Sequence, residues 1–592
     1  MIPRTTRTLT FEAPALAIVL LLALGLRLGA LDWPPLAPSE ASAALEALRL
    51  TPDAAALDPS AGPPASPAYG ALTAMLFDAF GSSDALARAL PAAAGVGLLI
   101  VSLLLRPTLG PGMSFLTALL LALSPALVLT SRTAGGSALS LTALSLAWFV
   151  VMRPEAEPRP RAAWAAGLLG AALASGPLTF TGLLGMAAGQ VLYSLLARSP
   201  GRGLPGALRS AGFTAPRHLV LLVGILLALA SGFGLERGAL AGAAVSLADW
   251  LRGWGQTPTL GLGTALLSLV IYEPLIVLGG LLAVLRWKTL TDELRSLAMW
   301  AAGALLVALI YPGRGAGELA WCVIPLAVLA AHALSSAIEG VAREEHRAFQ
   351  AILAGILALL LVFAYLQLSA YTRGIGRGPA YDPALDLGLA IGALVLAAVV
   401  TALFGLGWSW GMALSSLQAV ALLAALAASV SGLTALNFAP EAATARELWR
   451  VHAATAESRL LAVTTEGVST TQTGSPDALP IRLDAAASPV LAWTLRGFPR
   501  DVATDARSND LPRLILRPEG APDVALAADY VGQTFTLSER KGWTGLLPTG
   551  LLTYLVKREA PVVTEAWLLL VRADVASFGE LPAQPSPAGP ES

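Results

Sequence analysis

The sequence predicts a polytopic α-helical membrane protein with a mixed α/β domain at its C-terminal end. Three observations predict it. Apolar residues fill 55% of the 592 positions and charged residues only 13%, with a mean hydropathy of +0.68, whereas a soluble domain carries roughly 25% charged residues. Apolar runs close to the ~20 residues needed to cross a bilayer recur as far as Gly432. After Gly432 the composition turns polar at once. Alternating strands of the kind that build an outer-membrane barrel are absent.

Hydropathy and flanking breaks give about thirteen spans, near 12–31, 86–105, 112–130, 136–152, 162–176, 179–197, 218–235, 262–285, 297–311, 319–338, 349–370, 387–405 and 412–433. Two of them, 162–176 and 297–311, are short. The first run lacks a small-residue cleavage site, so it reads as a helix that stays in place. Basic residues gather in alternate loops: Arg4 and Arg7; Arg153, Arg159 and Arg161; Arg198, Arg202, Arg209 and Arg217; Arg286, Lys288 and Arg295; Arg343 and Arg347. The positive-inside rule then places the N-terminus in the cytoplasm of a multi-pass plasma-membrane protein. An odd number of spans puts the C-terminal domain outside. Residues 1–433 form the membrane domain, 434–580 the outer α/β domain and 581–592 a proline-rich disordered tail.

In the outer piece, "APEAATARELWRVHAATAESRLLAVTTEG" reads as a helix followed by a strand. "PVLAWTL", "PRLILRP", "LLTYLVK" and "EAWLLLVRAD" read as strands, each bounded by Pro, Gly or Asp. No internal repeat of the transporter kind is present. A net charge of -1 implies no nucleic-acid partner, and the single cysteine, Cys322, excludes an internal disulfide.

The first outer loop, 32–85, carries the chemistry. "GLRLGALDWPPLAPSEASAALEAL" leaves the membrane, breaks at Trp33-Pro34-Pro35 and opens a short helix at Pro38-Ser39-Glu40. Ser39 suits an N-cap, and Glu40 suits the positive end of that helix. Such a carboxylate either caps the helix or does chemistry. "SPAYGALTAMLFDAFG" forms a second short helix, and "ARALPAAAG" starts the next span with Arg88 and Pro91. Ser124-Pro125 and Ser131-Arg132 follow.

Taken in this order, these segments resemble the GT-C integral-membrane glycosyltransferases of family 39, the protein mannosyltransferases and aminoarabinose transferases. "IYEPLIVLGGLLAVL" and "GELAWCVIPLAVLAAHAL", with Glu318 and Trp321, resemble the flippase activity-associated subgroup, as do "SPVLAWTLRGFP" and "DYVGQTFTLSERKGW". The resemblance implies transfer of a sugar from a polyprenyl-phosphate carrier to a glycan, lipid or protein acceptor at the outer face. It also implies a first-loop acidic pair and a further acid after Ser131-Arg132. Here the pair reads Ser39-Glu40, and no acid stands at Gly136 or Ser137. A serine hydroxyl does not accept a proton at neutral pH. Glu40 is therefore the candidate base, and Arg27, Ser39, Arg88, Arg132 and Glu318 are the candidate substrate-binding residues.

Each of the other ionisable groups admits two readings. Arg27 either snorkels or faces a lipid phosphate. Glu273 either serves a polar cavity or bonds the backbone groups freed by Pro274. Arg314 and Glu318 either meet a sugar phosphate or pair with each other. His332 reads as a packed helix residue, Trp408 and Trp410 as interfacial anchors, and "GRGAGE" follows no strand that would make it a dinucleotide loop. The histidines show no metal-ligand spacing, no cofactor is indicated, and a divalent-cation requirement stays open. Three functions compete: the transferase; a non-catalytic relative that binds lipid-linked sugars or helps their assembly or flipping, favoured by the missing acids; and a transporter, disfavoured by the nearly charge-free spans.

Overall fold

A computed structural model describes residues 5–51, 63–153, 158–197, 216–234, 241–258, 260–343, 347–374, 383–440, 444–502, 512–521, 528–547 and 551–576. Arg4, Arg198, Arg202, Arg209 and the 581–592 tail lie outside the described residues.

Helix α1 (Thr5–Leu28) leads into the first loop, which carries α2 (Pro38–Leu48) and α3 (Pro67–Phe80). The bundle continues with α4 (Asp84–Gly97), α5 (Ile100–Leu109), α6 (Pro111–Leu123), α7 (Pro125–Ser131), α8 (Ser137–Met152), α9 (Pro158–Ser175), α10 (Leu178–Ala197), α11 (Pro216–Ala230) and α12 (Gly242–Gly253). It is completed by α13 (Leu262–Tyr272), α14 (Pro274–Leu285), α15 (Asp292–Ile310), α16 (Ala316–Arg343), α17 (Arg347–Gly374), α18 (Pro383–Gly407) and α19 (Trp410–Asn437).

Each of the thirteen apolar runs is helical over most of its described residues, and the short run 162–176 lies in α9, which is not among the helices long and apolar enough to cross a membrane. Among the described residues, seven helices are long and apolar enough to cross a membrane, or nine when each bent pair is one span. The runs at 12–31, 136–152 and 218–235 correspond to shorter apolar helices. The bent pairs are α6–α7, bent by 60°, and α13–α14, bent by 96°. Both bends fall at a proline, Pro125 or Pro274, whose ring nitrogen has no hydrogen to continue the helical ladder. Elsewhere the bundle closes on small residues. A Cβ on Gly303 of α15 would lie 2.3 Å from the Gly189 nitrogen and 2.6 Å from the Gly185 oxygen of α10. Larger residues there would push the two helices apart.

Beyond α19 come β1 (His452–Ala454), α20 (Glu457–Thr473), β2 (Ile481–Leu483), α21 (Pro489–Thr494), β3 (Arg500–Val502), β4 (Leu514–Pro518), β5 (Tyr530–Lys541), α22 (Leu551–Lys557), β6 (Val562–Arg572) and α23 (Ala573–Ala576). The sheet order is β1-β5-β6-β4-β2-β3, with β2 parallel to both β3 and β4 and the other pairs antiparallel. Its core gathers Leu461, Leu491, Leu514, Leu516, Phe535 and Trp567.

Three expected elements differ. "PVLAWTL" is the helix α21, because Pro489 sits in its first turn and the Ser488 hydroxyl accepts from the Leu491 amide at 3.4 Å. "LLTYLVK" is the helix α22, which buries Tyr554 against the bundle. The segment after α19 is a turn, then a strand, then a helix, because tertiary hydrogen bonds hold Glu447–Arg450 as a turn.

Candidate functional site

The first loop is fixed by one ion pair. Ala37, not Ser39, is the N-cap residue of α2, and Ser39 is exposed on the outer side of the first turn. Glu40 turns inward and is 3% exposed. Its Oε2 accepts from the Ala37 amide at 3.0 Å and from Arg88 Nη2 at 2.7 Å. Its Oε1 accepts from Arg88 Nε and the Ala134 amide, both at 2.8 Å. Arg88 Nη1 donates to the Leu31 and Pro34 carbonyls at 3.0 and 2.5 Å, and Nη2 also reaches the Pro35 carbonyl at 3.4 Å. All five guanidinium N–H groups are thereby used. Burial alone would push the Glu40 carboxyl up. The Arg88 charge and hydrogen bonds, with the Ala134 and Ala37 amides, instead hold it below the usual carboxylate range. A base needs a free lone pair and a pKa near the working pH. Glu40 has neither, so the geometry gives no support to the base role and makes this pair a clamp on the loop.

Arg132 and Arg27 are occupied in the same way. Arg132 donates through Nη1 to the Leu26 carbonyl at 3.3 Å and to Gly29, and through Nη2 to Ala30 at 2.7 Å and Trp33 at 3.0 Å. It thus closes the C-terminal end of α1, where helix carbonyls lack partners. Arg27 is fully buried and bonds the Leu121 and Ala122 carbonyls at 2.8 and 3.2 Å. It is shielded from solvent. Pro125 cannot donate to Leu121, so Arg27 takes that place at the C-terminal end of α6. On the other side of the break, Glu273 Oε1 accepts from Ser124 Oγ at 2.5 Å and from the Ala126 amide at 2.8 Å. A guanidinium thus closes one helix end and a carboxyl oxygen accepts from the first turn of the next. The absence of an acid at Gly136 also has a steric cause: a Cβ there would lie 1.6 Å from the Ser175 carbonyl oxygen.

The C-terminal sheet domain packs on the first loop and holds it in place. Asp84 accepts from Trp493 Nε1 at 2.7 Å and from Arg459 Nη2 at 3.2 Å. Arg496 donates to the hydroxyl and the carbonyl of Ser82, both at 2.8 Å, and Trp493 packs on Phe77.

A second region is open. Pro258, Leu262, Leu266, Leu309, Ile310, Pro312 and Arg314 line an apolar groove of about 540 Å³ between α13 and the end of α15. Arg314 bonds the Leu260 carbonyl through Nε at 2.8 Å, and the Leu309 and Tyr311 carbonyls through Nη1 at 3.0 and 2.8 Å. Its Nη2 has no partner among the described residues. Glu318 caps α16 by accepting from the Gly315 amide at 2.7 Å through Oε2. No ion pair joins Arg314 to Glu318 among the described residues, so of their two readings the mutual pairing is the one not seen. Burial, and then the charges of Glu318 and Asp249, push the neighbouring Tyr311 hydroxyl up to about 12. Among the described residues, no three His, Cys, Asp or Glu side chains converge as a metal site requires.

The residues sequence reasoning missed lie on the turn after α19. Leu448 N donates to Tyr272 Oη at 2.9 Å, and Trp449 Nε1 to Ser268 Oγ at 2.8 Å. Tyr272 Oη donates to Glu447, and Tyr554 Oη meets the same carboxylate oxygen at 3.4 Å. Arg450 Nε donates to the Leu436 carbonyl at 2.9 Å. The only signal in the sequence was a Glu and an Arg flanking a Trp just beyond the last span.

ArnT from Cupriavidus metallidurans bound to undecaprenyl phosphate has a similar structure. The TM-score is 0.51 at 15% identity, over 87% of this chain and 94% of that one. The Archaeoglobus fulgidus oligosaccharyltransferase tethered with an acceptor peptide scores 0.38 at 14% identity, over 83% of this chain and 63% of its own. No protein-family model matches the chain, and no curated protein matches it. The likeness to ArnT shows a shared fold, the GT-C arrangement that the sequence resemblance implies.

Proposed function

We propose that this GT-C-fold membrane protein draws a sugar from a polyprenyl-phosphate carrier and transfers it at the outer face. The groove between α13 and α15 carries this reading. Six of its seven lining residues are apolar, and the seventh is Arg314, whose Nη2 has no partner among the described residues, a combination that suits an isoprenoid chain with a terminal phosphate. Its volume lies within the range of small-molecule sites, roughly 300–1,000 Å³. The solved relative named for bound undecaprenyl phosphate supports the same ligand class. The N-terminus is cytoplasmic and the sheet domain extracytoplasmic, as the loop arginines favour; a tag within residues 440–580 that reacts only from the cytoplasm would reverse this orientation.

In the test, purified protein is titrated with undecaprenyl phosphate and with undecaprenol. The phosphate is expected to bind at least about tenfold more tightly, roughly 1.4 kcal/mol, and Arg314→Gln to erase that preference. Equal binding of the two lipids by the wild type would overturn the reading. The occupied state of Glu40 and the lack of an acid at Gly136 favour a second reading, a relative that binds the carrier without turnover. Tight carrier binding with no sugar released from any polyprenyl-linked donor would select it.

A further inference from the structure

Most arginines at the outer ends of the helices are committed to carbonyl oxygens. Arg88 uses all five N–H groups, Arg132 uses both terminal nitrogens twice, and Arg27 uses both of its own. Arg450 differs. Its Nε is held by the Leu436 carbonyl at 2.9 Å, and both terminal nitrogens are without a partner among the described residues. This side chain is not loose. Its own turn is closed by Arg450 N donating to the Glu447 carbonyl at 2.9 Å. Leu448 and Trp449 are bonded to Tyr272 and Ser268, and the Trp449 ring lies 4.5 Å from the Tyr272 ring. Glu447 is in turn tied to Tyr272, Tyr554 and Arg558, the last at 3.5 Å. A guanidinium fork is thus held at a fixed angle by neighbours on two elements.

Charges of both signs surround Arg450: the Glu40 and Glu447 carboxylates and the Arg88 and Arg132 guanidiniums. The Arg132 guanidinium lies 4.7 Å from the Phe438 ring, and Arg450 is anchored two residues earlier, at Leu436. Both charges therefore meet at the C-terminal end of α19. Glu40 is matched by Arg88, and Glu447 pairs with Arg558 through Oε2 while its Oε1 is buried with no hydrogen-bond partner among the described residues. Burial draws the Arg450 guanidinium down to about 10, which leaves it charged at neutral pH. An unfilled, preorganised fork beside a second cation favours a ligand carrying two negative charges.

We propose that the Glu447–Arg450 turn is a phosphate-binding site, separate from the lipid groove, in which the terminal nitrogens of Arg450 hold a phosphate group at the junction of the bundle and the sheet domain. It goes beyond the carrier site at Arg314 and holds whether or not the chain transfers sugars. The phosphate comes either from solution or from a lipid headgroup.

The experiment uses the full chain in nanodiscs of phosphatidylcholine, titrated with inorganic phosphate and followed by calorimetry. It is repeated in discs containing phosphatidylglycerol. Wild type is expected to bind phosphate in the first discs, and Arg450→Gln to bind at least tenfold more weakly, while Arg314→Gln binds as wild type does. Loss of the signal in phosphatidylglycerol discs identifies the headgroup as the competing source. Arg450→Lys keeps the charge without the fork and is expected to weaken binding several-fold; it decides the matter if thermal unfolding shows that Arg450→Gln does not fold. Wild-type binding by both Arg450 variants, loss of binding in Arg314→Gln, or no phosphate binding in either disc would overturn the proposal.

Discussion

The first loop and the loop between α15 and α16 both place an arginine and a glutamate at a membrane surface, and they use them in opposite ways. At the first loop, Arg88 and Glu40 face each other, and the surrounding backbone fills what capacity the pair leaves. At the second, Arg314 and Glu318 each bond backbone on a different side and leave capacity over. A charged pair that is buried and saturated holds the fold. A charged residue that is anchored at one edge and open at the other can hold a ligand. Residue type and spacing do not distinguish the two cases, because the difference lies in how many donors and acceptors the neighbouring backbone has already filled.

The largest effect expected from breaking this contrast is at Arg88. Arg88→Ala leaves the Glu40 carboxylate buried without its counter-charge, and is expected to cost about 3–5 kcal/mol. Thermal unfolding in detergent measures it; a loss below about 1 kcal/mol would mean that the loop is not clamped by this pair. The same pair sets an acid limit. The folded pKa of Glu40 is depressed, so its contribution is complete above the unfolded value of about 4.3 and is lost as pH falls through the lower folded value. Stability of the wild type should therefore drop below about pH 4.3, and Glu40→Gln should flatten that drop.

At the open region the expected change is in binding, not stability. Leu266→Trp fills the groove and should weaken undecaprenyl phosphate binding by about tenfold, roughly 1.4 kcal/mol, with little change in the unfolding temperature. An unaltered affinity would place the carrier elsewhere. The smallest effect sharpens the comparison within the first loop itself. Glu46, unlike Glu40, has no arginine saturating it. Burial raises its carboxyl, against the Ala65 amide and Arg49, and the charge of Asp249 adds to the rise. A raised folded pKa makes ionised Glu46 a cost at neutral pH, so Glu46→Gln should stabilise by less than about 1 kcal/mol at pH 7 and have no effect below about pH 4. A neutral or destabilising result at pH 7 would contradict it.

Much of this was legible in order along the chain. The apolar runs marked most helices of the bundle, since length and hydropathy suffice to hide backbone polar groups from lipid, but they missed α12, which falls between the runs 218–235 and 262–285. Pro274 marked one bend through its missing N–H, whereas the bend at Pro125 falls inside the run 112–130, which reads as one unbroken span. Glu40, Arg88 and Arg132 were picked out as a group, and the structure brings them together. Their roles were not legible. Whether Glu40 is a base or a clamp depends on Arg88, 48 residues away, and on the Ala134 amide, 94 residues away.

The sequence by itself determined that this is a many-helix membrane protein with a sheet domain after the last span, because those properties follow from local composition. It also determined where the first-loop helix α2 begins, through Pro38 and the acid that follows it. Only the tertiary structure decided which arginines are spent and which are open. Arg27 and Arg132 close carbonyls of helices distant in sequence, while Arg314 and Arg450 keep free edges. Likewise, Glu447–Arg450 became a turn instead of a helix because Tyr272 and Ser268, more than 170 residues earlier, hold its backbone amide and its indole. Hydrogen-bond saturation is a property of the packed neighbourhood, and no local pattern of residues encodes it.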